Sequence, residues 1–524
     1  MSYTLPISET PYNKLVVDGK VYHPPAATRG SADRPILTPA VPRYPRINGA
    51  KIAGVRPGSP FLYRVSVSGQ RPLALSVVGL PPGLSFDADN SVLSGTLLST
   101  GRHTVKIEAS NAHGRATREL RIVVGPEFSL TPPMGFNTYG GWGPFISEAQ
   151  VRAGAAALIA SGLADHGYHY VNIDDGWQGV RGGPLNAIQP NEKFGDLKVF
   201  CDDMHRLGLK TGTYSTPWTS SYEGFCGGSS RTSDGAWERP NPPRSGIGLF
   251  GQYRFEKADA QQWAEWGFDY AKYDWIINSP ELARAMSEAL RDQSRDIVLE
   301  LSNDAPLRDA DAYTGLAQMC RTTGDIVDVW DRTQLEPEKR SWAHGVRDIW
   351  KQHRDWARFN RPGHWNMPCP LRVGVLGGWD LKPLQPTRLT VDEQYAHISL
   401  WALWSAPLII GCPVERLDEF TLALLNNDEV IAVDQDPLGQ QARDFAVECG
   451  EVLVKDLEDG TKAVGLFNPG NATAVVTVTW EQLGLAGPQH VRDLWRQQDV
   501  GVSDGGFSAQ VNSHGVVLVS FRSA

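Results

Sequence analysis

Gly267-Phe268-Asp269-Tyr270-Ala271-Lys272-Tyr273-Asp274-Trp275 alternates in polarity and is rich in aromatic residues, which predicts a short buried strand. Residues i and i+2 of a strand share a face, so Lys272 and Asp274 leave its C-terminal end together. A strand ending on a cation and a carboxylate is how a parallel barrel presents a catalytic acid at its mouth. A single Asp at such a place is more commonly a turn former or a helix cap. The reading therefore depends on whether neighbouring strands end the same way.

Working outward, strand-like segments alternate with amphipathic helical ones. SEAQVRAGAAALIASGLADHG leads into YHYVNIDDGW, LKVFCDDMHRLGL into KTGTYS, KADAQQWAEWG into FDYAKYD, and SPELARAMSEALRDQS into DIVLELS. Adding MGFNTY, LAQMCRTTGD, PGHWNMP and APLIIGC brings the strands to eight. The alternation predicts a (β/α)8 barrel of about 300 residues, placed at 127–443. An open doubly wound sheet is the alternative, but the first strand is followed by no glycine-rich phosphate loop.

The flanks differ in texture. Residues 1–45, rich in Pro and polar side chains, predict an extended lead-in. Residues 46–126 carry short alternating runs such as TVKIEAS and RELRIVV, which predict an antiparallel sandwich. From 444 to 524 the helical pattern stops, and EVLVKDLED, TKAVGLFNPG and GVVLVSFR predict a second antiparallel domain.

The whole chain, 524 residues with net charge −9 and no basic run interleaved with aromatics, gives no reason to expect a nucleic-acid partner. No stretch reaches the ~18 apolar residues of a membrane span, and the N-terminus lacks the pattern of a secretory leader. As written the chain reads as cytoplasmic, or as periplasmic or extracellular if a leader was trimmed. The six cysteines fall without CxxC or zinc-type spacing, so neither a structural metal nor a disulfide framework is expected.

Taken at their C-terminal ends, the first six of the eight strands offer Asn137-Thr138-Tyr139, Asp174-Asp175, Tyr214, Lys272 with Asp274, Ser302-Asn303-Asp304, and Arg321 with Asp325. Paired acids, two cations and aromatic rings in one cup suit a polyhydroxylated ligand. Carboxylates accept from vicinal hydroxyls, rings cover the apolar face of a sugar, and two further carboxylates can act as acid and nucleophile.

LTPPMGFNTY, YVNIDDGW, FDYAKYD, CRTTGDIVDVW, LWALWSAPLIIG and NNDEVIAVDQDPLGQQ together resemble glycoside hydrolase family 27, the retaining α-galactosidases and α-N-acetylgalactosaminidases. GLPPGLSFD through SNAHG resembles the immunoglobulin-like modules attached to bacterial carbohydrate enzymes. The resemblance implies a carbohydrate substrate, no cofactor, Asp274 as nucleophile and Asp325 as acid/base, with carboxyls about 5 to 5.5 Å apart. It implies that Asp174 and Asp175 grip the 4- and 6-hydroxyls, that Tyr139 replaces a family Trp, and that Tyr214 matches the strand-three tyrosine. Lys272 and Arg321 are expected to favour ionisation of Asp274 and to bind hydroxyls.

Three departures bear on specificity. The family's WNDPDML is Trp365-Asn366-Met367-Pro368-Cys369-Pro370-Leu371 here, so both acids are gone and Cys369 stands where an acid meets the sugar near its 2-position. Aligned by family, Ser302 and Ala305 would leave room for a 2-acetamido group. The family disulfide cannot form, because Ile276 occupies the position that would pair with Cys226. The long loop SSRTSDGAWERPNPPRSGIGLFGQYRF is expected to shape the pocket or a contact between copies of the chain, with Trp237 and Phe250 lining an aglycone site or plugging the loop onto the barrel. The family implies terminal α-galactosyl hydrolysis. α-N-acetylgalactosaminidase, β-L-arabinopyranosidase, isomaltose-releasing dextranase and a non-catalytic sugar-binding protein are the alternatives.

Overall fold

The computed structural model describes residues 34–377 and 384–524, together with the paired backbone strands Leu15–Val17 and Lys20–Tyr22. Most of the predicted lead-in thus lies outside the described residues. Its last part runs along the barrel, where Leu37 N–H donates to the Tyr395 hydroxyl at 2.9 Å and Arg34 pairs with Asp418 at 3.0 Å.

At the centre stand eight parallel strands: β1 Met134–Asn137, β2 Tyr170–Asn172, β3 Lys210–Ser215, β4 Tyr270–Asp274, β5 Val298–Ser302, β6 Met319–Arg321, β7 Trp365–Met367 and β8 Leu408–Ile410. Each is one of the predicted segments. Their order around the sheet is β7-β6-β5-β4-β3-β2-β1-β8. No ladder joins β7 to β8. The chain beyond β7 closes the seam instead, with Leu371 bridging Ile410 in parallel, Leu371 N–H donating to Ile409 O at 2.7 Å and Gly411 N–H to Leu371 O at 3.0 Å. The closure places the residues after β7 at the mouth, a fact that matters below.

The expected sandwich precedes the barrel. Ile52–Val55, Gly114–Val124, Gly101–Asn111 and Ala74–Val78 make one sheet, and Pro60–Arg64, Val92–Thr96 and Leu84–Asp87 the other. Alternating side chains from both, among them Leu93, Val105, Leu120 and Ile122, fill a core of its own. The module docks on segments that enter β2, β3 and β5. Arg64 donates to Leu207 O at 2.7 Å, Asn48 to Asp165 O at 2.9 Å, and Arg56 to Arg295 O at 2.7 Å. It therefore supports the floor of the barrel, on the side away from the strands' C-terminal ends. A crevice between it and the barrel, walled by Phe61, Phe128, Leu130 and His169, is lined by no carboxylate.

The C-terminal domain carries a six-stranded antiparallel sheet and a two-stranded one. Its first strand, Arg443–Val447, already belongs to that sheet, which moves the expected boundary to just before Arg443. Several buried contacts fix it to the barrel, among them Trp495 Nε1 donating to Ser399 Oγ at 2.9 Å. Lys455 Nζ donates to Ala402 O at 3.2 Å, at the C-terminal end of helix α1, Val391–Trp404, where the helix dipole favours a cation. Among the described residues no helix is long and apolar enough to cross a membrane, and no cluster of His, Cys, Asp and Glu could hold a metal ion.

Candidate active site

The strand ends meet in one cavity of about 450 Å³ at the C-terminal face. Of the expected site residues, Tyr139, Asp174, Asp175, Tyr214, Lys272, Asp274, Arg321, Asp325 and Cys369 line it.

On β4, Lys272 and Asp274 emerge on one face as the two-residue period requires. Lys272 Nζ lies 2.9 Å from Asp174 Oδ2 and 3.6 Å from Asp274 Oδ2, and it sits 5.1 Å from the centre of the Tyr214 ring. The paired acids raise its pKa against the cost of its burial, so it is a fixed ammonium. Asp174 also accepts from Asn137 Nδ2 at 2.6 Å. Asp274 is 7% exposed, and its Oδ2 accepts from the Tyr214 hydroxyl at 3.1 Å. Its Oδ1 is buried and accepts no hydrogen bond from the protein.

Electrostatics add burial to one expectation. Lys272 and Arg321 do favour the Asp274 carboxylate, but burial outweighs them. The Asp174 and Asp325 carboxylates add to that effect, so its pKa stands above the ordinary value. Arg321 is instead committed to Asp325. Its Nη2 donates to Asp325 Oδ1 at 3.1 Å and to Gly324 O at 3.0 Å. The Asp325 side chain is 46% exposed to the open cavity. Burial of its carboxyl against the site wall is the largest single influence and opposes its charge, but Arg321, Lys272 and Arg372 together outweigh it, and its pKa is held below the ordinary value. In the unliganded site the buried carboxyl holds a proton more readily than the open one.

Asp175 is buried. Burial pushes its pKa up to about 7, against hydrogen bonds from the Ser221 hydroxyl and the Glu223 N–H, with the Glu223 and Asp174 carboxylates adding to the rise. Glu223 is a residue the sequence reading missed. It arrives on the connection after β3, accepts from the Tyr139 hydroxyl at 2.8 Å and pairs with Arg244 at 2.7 Å. Its charge, together with burial, keeps the Tyr139 phenol protonated.

Ser302 and Ala305 are the expectation the structure overturns. Neither lines the cavity, whereas Asn303 does. The strand ends at Ser302, which is 1% exposed. At Asp304 the backbone then turns with φ 52°, which returns Ala305 to the hydrophobic core and its N–H to Arg321 O at 2.9 Å. The turn thus presents Asn303, and not the residues on either side of it, to the cavity. Cys369 does reach the cavity wall, but it is only 1% exposed. Its Sγ accepts from Ile326 N–H at 3.4 Å, and burial raises its pKa, so it is a neutral thiol.

The long loop contributes Arg244 and Ile247 to the wall. Trp237 plugs the loop down, with its Nε1 donating to Ser220 Oγ at 3.1 Å, and Phe250 stands 50% exposed; neither lines the cavity. All six cysteines are free thiols, Cys226 among them.

Residues 143–236 and 243–436, the greater part of the barrel, match the family model described as Alpha galactosidase A. The chain belongs to that family, glycoside hydrolase family 27. The two flanking units of this family 27 chain match as well, residues 447–521 to the Alpha galactosidase C-terminal beta sandwich domain and residues 45–125 to a model described as "Putative Ig domain". Alpha-galactosidase 2 of Arabidopsis thaliana is 33% identical over 406 residues, covering 76% of this chain and 90% of that protein. A Bacteroides fragilis structure described as a "putative alpha-galactosidase" is 29% identical with a TM-score of 0.82, covering 93% of this chain and 100% of that one. A family 27 β-L-arabinopyranosidase from Geobacillus stearothermophilus, in complex with arabinose, is 26% identical with a TM-score of 0.63, covering 76% of this chain and 98% of that one.

Tyr214 supplies a direct test of the site. Its hydroxyl is the neutral donor that steadies Asp274 Oδ2. A hydrogen bond to a charged group contributes about 1.5–3 kcal/mol, so Tyr214→Phe should lower kcat/KM by about 10- to 100-fold with little change in Tm. Unaltered kinetics would remove that bond from the working site.

Proposed function

We propose that this family 27 chain is a retaining α-galactosidase that removes terminal α-galactosyl units, with Asp274 as nucleophile and Asp325 as acid/base. The observation that carries the roles is the contrast between the two carboxyls on one cavity. Asp274 is anchored through Oδ2 and keeps Oδ1 unbonded, while Asp325 stands at the open side on an arginine.

In the first step Asp325 protonates the glycosidic oxygen as Asp274 Oδ1 attacks the anomeric carbon. The C–O bond to the leaving group breaks and a galactosyl ester forms on Asp274. In the second, the Asp325 carboxylate takes a proton from water, the water oxygen attacks the anomeric carbon, and the ester bond breaks to restore Asp274. Two inversions leave the α configuration unchanged. Lys272 binds hydroxyls and stabilises charge on Asp174 and Asp274, and Asp174 and Asp175 supply acceptors for sugar hydroxyls.

α-N-acetylgalactosaminidase activity loses its support, because the small residues invoked for it do not line the cavity. The arabinopyranosidase relative leaves β-L-arabinopyranoside as the second reading, since that sugar lacks only the 6-hydroxymethyl group. The test is release of nitrophenol from the 4-nitrophenyl α-galactoside, α-N-acetylgalactosaminide and β-L-arabinopyranoside, with the first-formed anomer read by NMR. Preference for the galactoside with α-galactose released first is expected. Preference for another sugar, or β-galactose first, would overturn the reading.

A further inference from the structure

Arg372 lies at the mouth just past the seam, on the segment that closes the barrel, and it lines the cavity. It is set there rather than draped over the surface. Its Nε donates to Ile326 O at 3.1 Å, next to Asp325. The guanidinium packs against two glycines. A Cβ on Gly140 would collide with Gly411 O and stand 2.5 Å from Arg372 Nη1, whereas one on Gly411 would touch Nη1 at an ordinary 3.4 Å. Both glycines sit past strand ends on the same wall, β1 for Gly140 and β8 for Gly411.

Among the described residues the other charges of the cavity are paired, and Arg372 acts on the Asp325 carboxylate only from beyond ion-pair distance. Lys272 pairs with Asp174, Arg321 with Asp325, Arg244 with Glu223, and Lys339 at the rim with Glu336 at 3.1 Å. Among the described residues, no carboxylate lies within ion-pair distance of Arg372. In the family pattern an acid stands at the position of Cys369; here a neutral thiol occupies it, so this part of the wall is positive. Arginine presents a planar fork of donors that matches a carboxylate or sulfate better than single hydroxyls.

We propose that Arg372 binds an anionic group, a carboxylate or sulfate, that the substrate carries beside the scissile bond, so that this chain acts on acidic α-galactosides. The inference rests on the galactosidase reading and narrows its substrate class. The anion has two sources, a sulfate on the galactosyl unit itself or a uronate in the sugar that leaves.

Two pairs of substrates distinguish them: an α-galactosyl glucuronic acid with its methyl ester, and 4-nitrophenyl α-galactoside with its 2-O-sulfate. In one pair the anionic member should show kcat/KM about 10- to 100-fold above its neutral partner. Arg372→Met should erase that ratio, and Arg372→Lys should keep part of it. Inorganic sulfate should inhibit hydrolysis of the neutral nitrophenyl substrate by the natural protein and do so less in Arg372→Met. If Arg372 merely holds Ile326 and so positions Asp325, the methionine variant will lose the same factor on charged and neutral substrates, and the proposal falls. It falls too if neither pair favours its anion. Hydrolysis of the neutral nitrophenyl galactoside in that event leaves the galactosidase reading standing, so the two failures are separable.

Discussion

Asp274→Ala should lower kcat on the order of 10⁴-fold or more, the scale seen when a covalent nucleophile is removed. The folded protein should survive the change. Lys272 keeps Asp174 at 2.9 Å as a counterion, so no buried cation is stranded. The stability effect has a definite sign. A carboxyl whose folded pKa lies above its unfolded value contributes fully below the unfolded value and loses that contribution as pH rises through the folded one. Burial raises Asp274 in this way. The variant should therefore match or exceed the Tm of the natural protein near pH 7, with the gain gone in acid. Azide gives a second reading of the same residue. It should enter the space left by the carboxylate, attack the anomeric carbon of an activated galactoside and yield the β-galactosyl azide. Turnover close to that of the natural protein would remove Asp274 as nucleophile.

Asp325→Ala should cost about 10²- to 10⁴-fold in kcat on substrates with poor leaving groups, because their glycosidic oxygen must be protonated as it departs. Nitrophenyl galactosides should lose less in the first step, since nitrophenolate leaves unaided, and should show a burst as the galactosyl ester waits for a base. The pH profile carries a sharper consequence. Turnover needs Asp325 protonated and Asp274 ionised, whereas the unliganded site favours the reverse, with Asp325 held low by Arg321 and Asp274 raised by burial. A sugar that covers the half-exposed Asp325 removes water from its charged form and pushes its pKa up. The alkaline limb of kcat should then lie at higher pH than that of kcat/KM, and the limb should vanish in Asp325→Ala. Coincident limbs, or a variant with the original profile, would take the acid/base role from Asp325.

Much of this molecule is legible without coordinates because it is built from local periodicity. All eight barrel strands lie within the predicted segments, since a buried parallel strand must be a short apolar run and its helix must be amphipathic. Lys272 and Asp274 could be placed on one face from their spacing alone. Tyr214 and Arg321 lie in the last residues of their strands and Asp174, Asp175 and Asp325 just beyond strand ends, and strand ends of a barrel share a mouth. Loops carry no such period. The backbone turns at Asp304, leaving Asn303 on the cavity wall while Ser302 and Ala305 are buried, and no period in the sequence marks that turn. Glu223 reaches Tyr139 across 84 residues of sequence, a contact that no motif records.

Sequence by itself therefore determined the barrel, the two flanking sheets and the pair of carboxylates, because each is written in residue type and spacing. Tertiary structure alone decided which carboxyl is buried and which is open, that Arg321 donates its hydrogen bond to Asp325, and that the immunoglobulin-like module braces the floor away from the cavity. It also decided that Arg372 turns into the mouth between two glycines. These are matters of burial and of distance between remote segments, and both exist only once the chain has closed upon itself.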